Sequence, residues 1–246
     1  MKLLLTSSGI TNASIRNALI DLLGKPIEEC SALYVPTAIY PFSAGPQAAY
    51  GSILGRPQSP FTALGWKSLG ILELTALPTI QKETWLPALQ ETDALLVWGG
   101  DPLYLAYWLE ESGLKALLPS LLDKMVYAGV SAGAMATAKI FAESYTNPPS
   151  GRNKALKTEN ITVQTPGGEK SMTFCTAHGA GLVDFAIIPH YNSNQGHWDA
   201  SVANSEKWAA RIPAPVYAID DQTAVKVNDH NVEVVSEGQW KLFNKQ

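Results

Sequence analysis

The chain has 246 residues, of which 46% are hydrophobic and 16% charged, and its net charge is −4. This balance predicts one compact domain over residues 1–246 and gives no electrostatic reason to expect nucleic acid or an anionic membrane as a partner. No apolar run reaches the roughly eighteen residues of a membrane span. The first residues also lack the apolar length of a signal peptide, so a cytoplasmic protein is expected. Cys30 and Cys175 lie far apart beside apolar runs, which indicates buried free thiols.

The chain begins with the pattern of a strand, a helix and a second strand. Residues 2–6 form a short apolar run, residues 15–23 carry apolar side chains at helical spacing, and residues 32–35 form another apolar run. A βαβ unit of this kind implies a parallel sheet, in which binding loops lie at the carboxyl ends of the strands.

The next part of the chain is less regular. Residues 40–60 are rich in proline and glycine, which predicts a long connection around a short helix at 47–54. Residues 71–74 are typical of a further strand, and residues 85–91 of a short helix.

A strong strand signal at 94–98 ends in a pair of glycines, Gly99 and Gly100, which Asp101 and a helical stretch at 103–111 follow. Two glycines at the end of a strand let backbone amides approach a ligand, because no side chain intervenes. The turn is therefore a candidate for substrate binding and for half of an oxyanion hole. An ordinary turn is the alternative interpretation.

The segment around Ser131 has the pattern of a nucleophile elbow. An apolar run at 125–128 predicts a buried parallel strand, and small residues at 132–141 predict a helix directly after it. Ser131 lies at the corner between them with Gly129 and Gly133 on either side, where a tight turn excludes larger side chains. A glycine-rich turn without chemistry is the alternative.

Acyl transfer at such an elbow needs two N–H donors for the developing oxyanion. The amide of Ala132 follows the nucleophile and is one candidate. The amide of Gly100 is the other, and the start of the helix after Ser131 would add a favourable dipole.

A serine hydroxyl also needs a base, and imidazole is the side chain suited to that task near neutral pH. The apolar run at 182–188 predicts a strand that brings His190 to its carboxyl end. His197 lies on the following loop and is a candidate for the substrate pocket, whereas His230 is predicted at an exposed hairpin tip. His190, His197 and Asp199 lack metal-ligand spacing, so no metal site is predicted.

Several shorter patterns predict antiparallel hairpins. Residues 158–164 predict a strand and residues 166–168 its turn. Residues 224–227 and 232–235 predict a second hairpin, and residues 239–243 a last strand.

A base histidine is usually held by a carboxylate that fixes its tautomer. The predicted strand at 216–219 ends in Asp220 and Asp221, at a place where an acid can face the site. Asp221 is the candidate for that role. A cap or turn-forming role is the alternative for either aspartate.

Three segments together resemble one known family. They are residues 97–102 (VWGGDP), 129–134 (GVSAGA) and 188–191 (IPHY). These motifs are similar to those of the peptidase E (aspartyl dipeptidase) and cyanophycinase family of serine peptidases, and the similarity extends from the first strand to Val227. The resemblance implies a fold like that of class I glutamine amidotransferases, which is a flavodoxin-like three-layer αβα sandwich with a mostly parallel sheet.

The resemblance also implies a catalytic triad of Ser131, His190 and an acid. The family typically has glutamate where Asp221 stands, and some members are described with an acid shortly after the elbow helix, which corresponds to Glu143. Asp221 is the preferred acid, and Glu143 is the second candidate. Residues 191–207 contain no arginine to pair with an acidic substrate residue, so a strict preference for Asp-X peptides is not expected.

The sequence therefore predicts a dipeptidase-like serine peptidase that hydrolyses small peptides through an acyl-enzyme and needs no cofactor. The alternative is a catalytically silent or amidotransferase-like domain that binds small molecules. A homodimer is compatible with either hypothesis.

Overall fold

The computed structural model describes residues 1–54, 56, 61–146, 155–165, 167–193 and 202–245. Within them the strands are β1 (Lys2–Thr6), β2 (Ser31–Val35), β3 (Ser68–Ile71), β4 (Ala94–Val97), β5 (Val126–Val130), β6 (Ile140–Tyr145), β7 (Ala155–Thr165), β8 (Gly168–His178), β9 (Ala186–Ile188), β10 (Val216–Ile219), β11 (Thr223–Asn228), β12 (Asn231–Ser236) and β13 (Trp240–Phe243). The helices are α1 (Ala13–Leu23), α2 (Gly45–Ile53), α3 (Lys82–Gln90), α4 (Pro102–Glu111), α5 (Leu114–Leu121), α6 (Ala132–Met135) and α7 (Val202–Ala209), with 3-10 turns at Ile27–Glu29, Thr37–Ile39 and Leu77–Thr79.

The central sheet contains seven strands in the order β12-β11-β1-β5-β4-β2-β3. The five strands from β1 to β3 in this order pair in parallel, and β11 and β12 extend the sheet as an antiparallel edge. The predicted α/β fold with a mostly parallel sheet is confirmed. Its physical basis is the series of short, fully buried apolar strands, of which β4 and β5 are the clearest examples.

Helices cover both faces of this sheet. Along β1, Leu3 and Leu5 pack into one hydrophobic cluster and Leu4 into the other, because successive side chains of a strand point to opposite faces. Helix α1 packs on the Leu4 face through side chains such as Leu19, and α4 and α5 pack on the opposite face. The result is the predicted three-layer arrangement.

The predicted βαβ unit at the start of the chain lies in the sheet, but its two strands are not neighbours. Strands β5 and β4 lie between β1 and β2. These central strands are apolar on both faces and are fully buried, whereas β2 carries the partly exposed Ser31 and Leu33. The four strands still run in the same direction, so their carboxyl ends meet at one edge.

Two smaller sheets flank the main one. In the sheet β13-β10-β9, strands β10 and β9 are parallel. The sheet β6-β8-β7 contains the predicted hairpin, formed by β7 and β8. Strands β11 and β12 form the second predicted hairpin, and β13 corresponds to the predicted last strand.

The prediction of a helix over 132–141 is wrong for all but its first turn. Helix α6 ends at Met135, and β6 begins at Ile140. The carbonyl groups of residues 136–138 accept hydrogen bonds from amides of residues 180–183, so the helical pattern cannot continue. The same contacts shorten the strand predicted at 182–188, which is reduced to β9.

Other boundaries also differ from the prediction. The strand expected at 71–74 lies at Ser68–Ile71, and α5 is absent from the prediction. In the part of the chain that the structure describes, none of the helices has both the length and the apolar character that crossing a bilayer requires.

Candidate active site

Ser131 occupies a strained corner between β5 and α6. Its backbone angles are φ 48° and ψ −110°, and its amide donates a hydrogen bond to the carbonyl of Thr6 at the end of β1 (2.9 Å). A Cβ atom at Gly133 would overlap the Val97 carbonyl oxygen, and one at Gly129 would lie 2.6 Å from the Gly133 carbonyl carbon. The glycines are therefore required by close packing, and a non-glycine residue in such a strained backbone conformation is typical of functional sites.

His190 lies beside this corner. It also has a positive φ, 59°, and its backbone amide donates a hydrogen bond to Ser7 Oγ (2.7 Å). The next amide, of Tyr191, donates to the carbonyl of Ile219 at the end of β10 (3.0 Å). These bonds hold the imidazole so that its Nε2 is 3.1 Å from Ser131 Oγ.

Asp221 lies on the other side of the imidazole, two residues after β10. Its Oδ1 is 2.8 Å from His190 Nδ1 and accepts hydrogen bonds from the hydroxyls of Ser8 (2.7 Å) and Ser7 (2.8 Å). The hydrogen bond to His190 holds the pKa of the Asp221 carboxyl well below its ordinary value, and the two serines act in the same direction against burial.

The three side chains form a continuous hydrogen-bonded row. Because an ionised carboxylate only accepts hydrogen bonds, the Nδ1 atom of His190 carries the hydrogen that faces Asp221. The lone pair of Nε2 then faces the Ser131 hydroxyl. A row of this kind can transfer the hydroxyl proton to imidazole when the oxygen attacks an electrophile.

Sequence reasoning missed Ser7 and Ser8, which directly follow β1. Both hydroxyls contact Asp221, and Ser7 is fully buried. The signal that could have found them is their position, since hydroxyl residues after a parallel strand lie at the same edge as the elbow.

Glu143, the second candidate acid, lies elsewhere in the site. It stands on β6, lines the cavity in front of Ser131, and its Oε1 accepts a hydrogen bond from the Ser144 amide (2.7 Å). Burial raises the pKa of Glu143 to about 8, and the nearby Asp101 carboxylate acts in the same direction. Among the hydrogen bonds of the described residues, His190 pairs with Asp221 and not with Glu143.

Gly99 and Gly100 line the same cavity. Gly100 has φ 142°, and a Cβ there would overlap the Ala38 carbonyl oxygen, so only glycine fits. The backbone amides of Gly100 and Ala132 donate to no other described residue. The Asp101 side chain caps α4 by accepting from the amides of Leu103 and Tyr104, and its contact with substrate stays a prediction.

The cavity in front of Ser131 has a volume of about 410 Å³. Its lining is mostly apolar and comprises Ile39, Phe42, Ala44, Gly45, Ala48, Trp98, Gly99, Gly100, Val130, Ser131, Met135, Ala142, Glu143, Ile188, Pro189, His190 and Trp208. His197, predicted to line the pocket, lies outside the described residues. Within the described ranges no three His, Cys, Asp or Glu side chains are grouped as metal ligands.

The fold and this site define an α/β protein with a serine at a strand–helix elbow. Residues 3–235 match the model of peptidase family S51, and the chain belongs to that family. The recognition made from the three motifs is thereby confirmed.

Two solved structures have the same fold. One is a crystal structure of a protein from Listeria monocytogenes EGD-e provisionally named peptidase E, with 20% identity, a TM-score of 0.62, and coverage of 96% of this chain and 98% of that one. The other is a peptidase from an acI-B1 Actinobacterium, with 19% identity, a TM-score of 0.56, and coverage of 98% and 93%. No curated protein matches the chain.

Proposed function

We propose that the protein is a dipeptidase-like serine peptidase that hydrolyses small peptides, with Ser131 as nucleophile, His190 as base and Asp221 as the acid that orients it. The observation that carries the proposal is the row of contacts from Ser131 Oγ to His190 Nε2 (3.1 Å) and from Nδ1 to Asp221 (2.8 Å). Membership of a peptidase family supports the reaction class. The limited cavity volume of about 410 Å³ supports small substrates.

In the first half of the reaction, the Ser131 oxygen attacks the peptide carbonyl while Nε2 of His190 takes the hydroxyl proton. The carboxylate of Asp221 stabilises the imidazolium that forms. The amides of Gly100 and Ala132 are the proposed donors to the oxyanion, and their freedom from other described partners supports this role. Collapse of the tetrahedral intermediate expels the amine, which receives the proton from His190.

In the second half, water replaces the amine. His190 takes a proton from water, hydroxide attacks the acyl group on Ser131, and the carboxylic acid leaves as the serine oxygen regains its proton. Each step uses groups of this chain, and protons and bonds balance without a cofactor.

The proposal is tested with a fluorophosphonate probe and a panel of dipeptides. We expect the probe to label the wild-type protein and not Ser131→Ala, and we expect the wild type to cleave at least one class of dipeptide. A folded wild-type protein that takes no label and cleaves no peptide would favour the silent binding domain instead.

We further propose that the protein acts in the cytoplasm. The two cysteines are free and buried, which supports a compartment in which thiols remain reduced. Cell fractionation with an antibody against the protein tests this directly.

A further inference from the structure

We infer that the cavity selects peptides whose first residue has an uncharged apolar side chain and that Glu143 binds the free α-amino group of that residue. The inference deepens the proposed peptidase function and rests on it. Two independent features of the cavity support it, namely the chemistry of its wall and the position of the one carboxyl group among its described lining residues.

The wall offers an apolar surface to a side chain. Phe42, Trp98, Met135, Ile188 and Trp208 all line the cavity, and none of the described lining residues is lysine or arginine. An apolar side chain gains free energy in proportion to the area it buries there. An aspartate side chain would lose its hydration without gaining a lysine or arginine partner from the described lining residues, which is unfavourable.

Glu143 supplies the polar contact that fixes an amino terminus. It is the one carboxyl residue among the described lining residues, and it shares the cavity with Ser131. At about 410 Å³ the cavity is at the small end of ligand sites, so a dipeptide bound at Ser131 is expected to reach the other lining residues, Glu143 included. The backbone amide of Ser144 holds one carboxyl oxygen and thereby orients the group.

The titratable groups around Glu143 favour a cationic partner. Asp101 at the start of α4 and Cys175 on β8 interact electrostatically with Glu143, as does Tyr145 on its own strand, and His190 faces the same cavity. Asp101, Cys175 and Tyr145 each titrate between a neutral and an anionic form, so His190 is the one member of this group that can become cationic. An ammonium group placed beside Glu143 would therefore relieve the unfavourable burial of its carboxylate.

Binding of an amino terminus beside Glu143 is expected to release protons. Burial raises the pKa of Glu143 to about 8, so below that pH the free protein holds a proton on this group. A free α-amino group, with a pKa of about 8, is also protonated there. Before binding, Glu143 and the amino group each carry their titrating proton, whereas in the bound pair Glu143 is ionised and only the amino group is protonated. Binding therefore releases about one proton at pH values near 6.5.

The experiment measures binding of intact dipeptides to Ser131→Ala by titration calorimetry, so that no turnover is needed. We expect Leu-Leu to bind at least about tenfold more tightly than Asp-Leu and than N-acetyl-Leu-Leu. N-acetyl-Lys-Leu tests whether a side-chain ammonium is the true partner. Its binding as tightly as Leu-Leu would overturn the assignment to the α-amino group.

The double variant Ser131→Ala/Glu143→Gln tests the carboxyl group. We expect it to bind Leu-Leu and N-acetyl-Leu-Leu with similar affinity and to release almost no proton in buffers of different ionisation enthalpy. The matched control is Ser131→Ala/Glu83→Gln, in which the exposed Glu83 on α3 is changed. The control should retain both the preference for a free amino terminus and the proton release. The preference is the ratio of the affinities for Leu-Leu and N-acetyl-Leu-Leu in the same variant. A partly unfolded sample lowers both apparent affinities alike, so it does not change this ratio.

The two proposals fail in different ways. Tight binding of Leu-Leu without hydrolysis by the wild type would contradict the peptidase function and leave the binding preference in place. Hydrolysis with Asp-Leu favoured, or with no effect of acetylation, would contradict the inference about the cavity and leave the peptidase function in place.

Discussion

Asp221 and Glu143 are two carboxyl groups in one candidate active site, and their surroundings differ in kind. Asp221 lies behind His190 and accepts hydrogen bonds from two serine hydroxyls as well as from the imidazole. Glu143 lies on an apolar wall, where one oxygen accepts a single backbone hydrogen bond and Asp101 adds a like charge. The pKa of Asp221 is therefore lowered, and that of Glu143 is raised to about 8.

The comparison shows that the neighbouring groups, more than the residue type, decide the protonation state and therefore the role of a carboxyl group in this site. A carboxylate that stays ionised can orient an imidazole and stabilise its cation, whereas one that holds a proton near neutrality cannot. Glu143 is suited to a role in which it gains a cationic partner. The four predictions that follow separate the two groups, beginning with the largest effect.

Asp221→Asn is expected to have the largest effect on activity. The amide cannot hold His190 in the tautomer that leaves Nε2 free to accept the Ser131 proton, so kcat should fall by about 10⁴-fold while the protein remains folded. Steady-state kinetics on the best dipeptide and a thermal melt measure the two quantities.

Asp221→Glu is the matched control, because it keeps the charge and adds one methylene group. Since the resembled family typically carries glutamate at this position, kcat should stay within about tenfold of the wild type, a difference of about 1.4 kcal/mol in the barrier. If Asp221→Asn keeps near-normal kcat while Glu143→Gln abolishes it, the roles assigned to the two acids are reversed.

Glu143→Gln is expected to change how stability depends on pH. The native pKa of about 8 exceeds the ordinary value of 4.5, so between these values the native state binds more protons than the unfolded state. Stability of the wild type should therefore fall as pH rises through this range, by up to about 1.4 kcal/mol per pH unit. Glutamine cannot titrate, so the variant should gain stability relative to the wild type as pH increases.

Urea unfolding at several pH values between 5 and about 8 measures this difference. Glu83→Gln on the surface of α3 is the control and should follow the wild type at each pH. A constant stability difference between Glu143→Gln and the wild type across the range would show that Glu143 does not titrate in this way.

Ser7→Ala tests the support behind Asp221. The Ser7 hydroxyl accepts the His190 amide hydrogen and donates to Asp221, and the side chain is fully buried. Its removal leaves the His190 amide without this partner and takes one donor from Asp221, which keeps its contacts with His190 and Ser8. A cost of about 1–3 kcal/mol in the activation barrier corresponds to roughly a 5- to 160-fold loss in kcat. Kinetics with KM resolved from kcat provide the measurement.

Ser120→Ala is a suitable comparison, since Ser120 is exposed on α5 and its hydroxyl donates to the Leu117 carbonyl. It should leave kcat unchanged. An equal loss of activity in both variants would mean that the Ser7 effect is not specific to the site.

The contrast between local and long-range information explains how much of this fold could be predicted. Strands β1, β4 and β5 correspond to short apolar runs in the sequence, and these strand predictions are confirmed. The lateral order of the strands is not local, so the positions of β5 and β4 between β1 and β2 could not be derived from periodicity. The early end of α6 is also long-range in origin, because residues near 180 supply the hydrogen bonds that replace the helix.

The candidate site has the same division. Ser131, His190 and Asp221 could be named because each follows an apolar strand, and parallel strands bring such positions to one edge. The distinction between Asp221 and Glu143 depends on distances that spacing does not contain. The position of Ser7 and Ser8 after β1 indicates the edge of the sheet at which they lie, but not their hydrogen bonds to an acid more than 200 residues away.

Ser8→Ala should have the smallest effect of the four changes. Its hydroxyl is one of two serine donors to Asp221 Oδ1, at 2.7 Å, and the remaining donors stay in place, so the expected loss in kcat is less than about tenfold.

Removing the Ser8 donor also raises the pKa of Asp221 toward its ordinary value. Because the pKa of Asp221 is lower in the native state than in the unfolded state, the ionised carboxylate stabilises the fold at pH values above its unfolded-state pKa. This contribution is lost as the pH falls, so the variant should lose less stability than the wild type between about pH 6 and pH 2. Unfolding measurements at both pH values decide the point, and an acid-induced loss as large as that of the wild type would mean that the Ser8 hydrogen bond does not hold Asp221 in its ionised form.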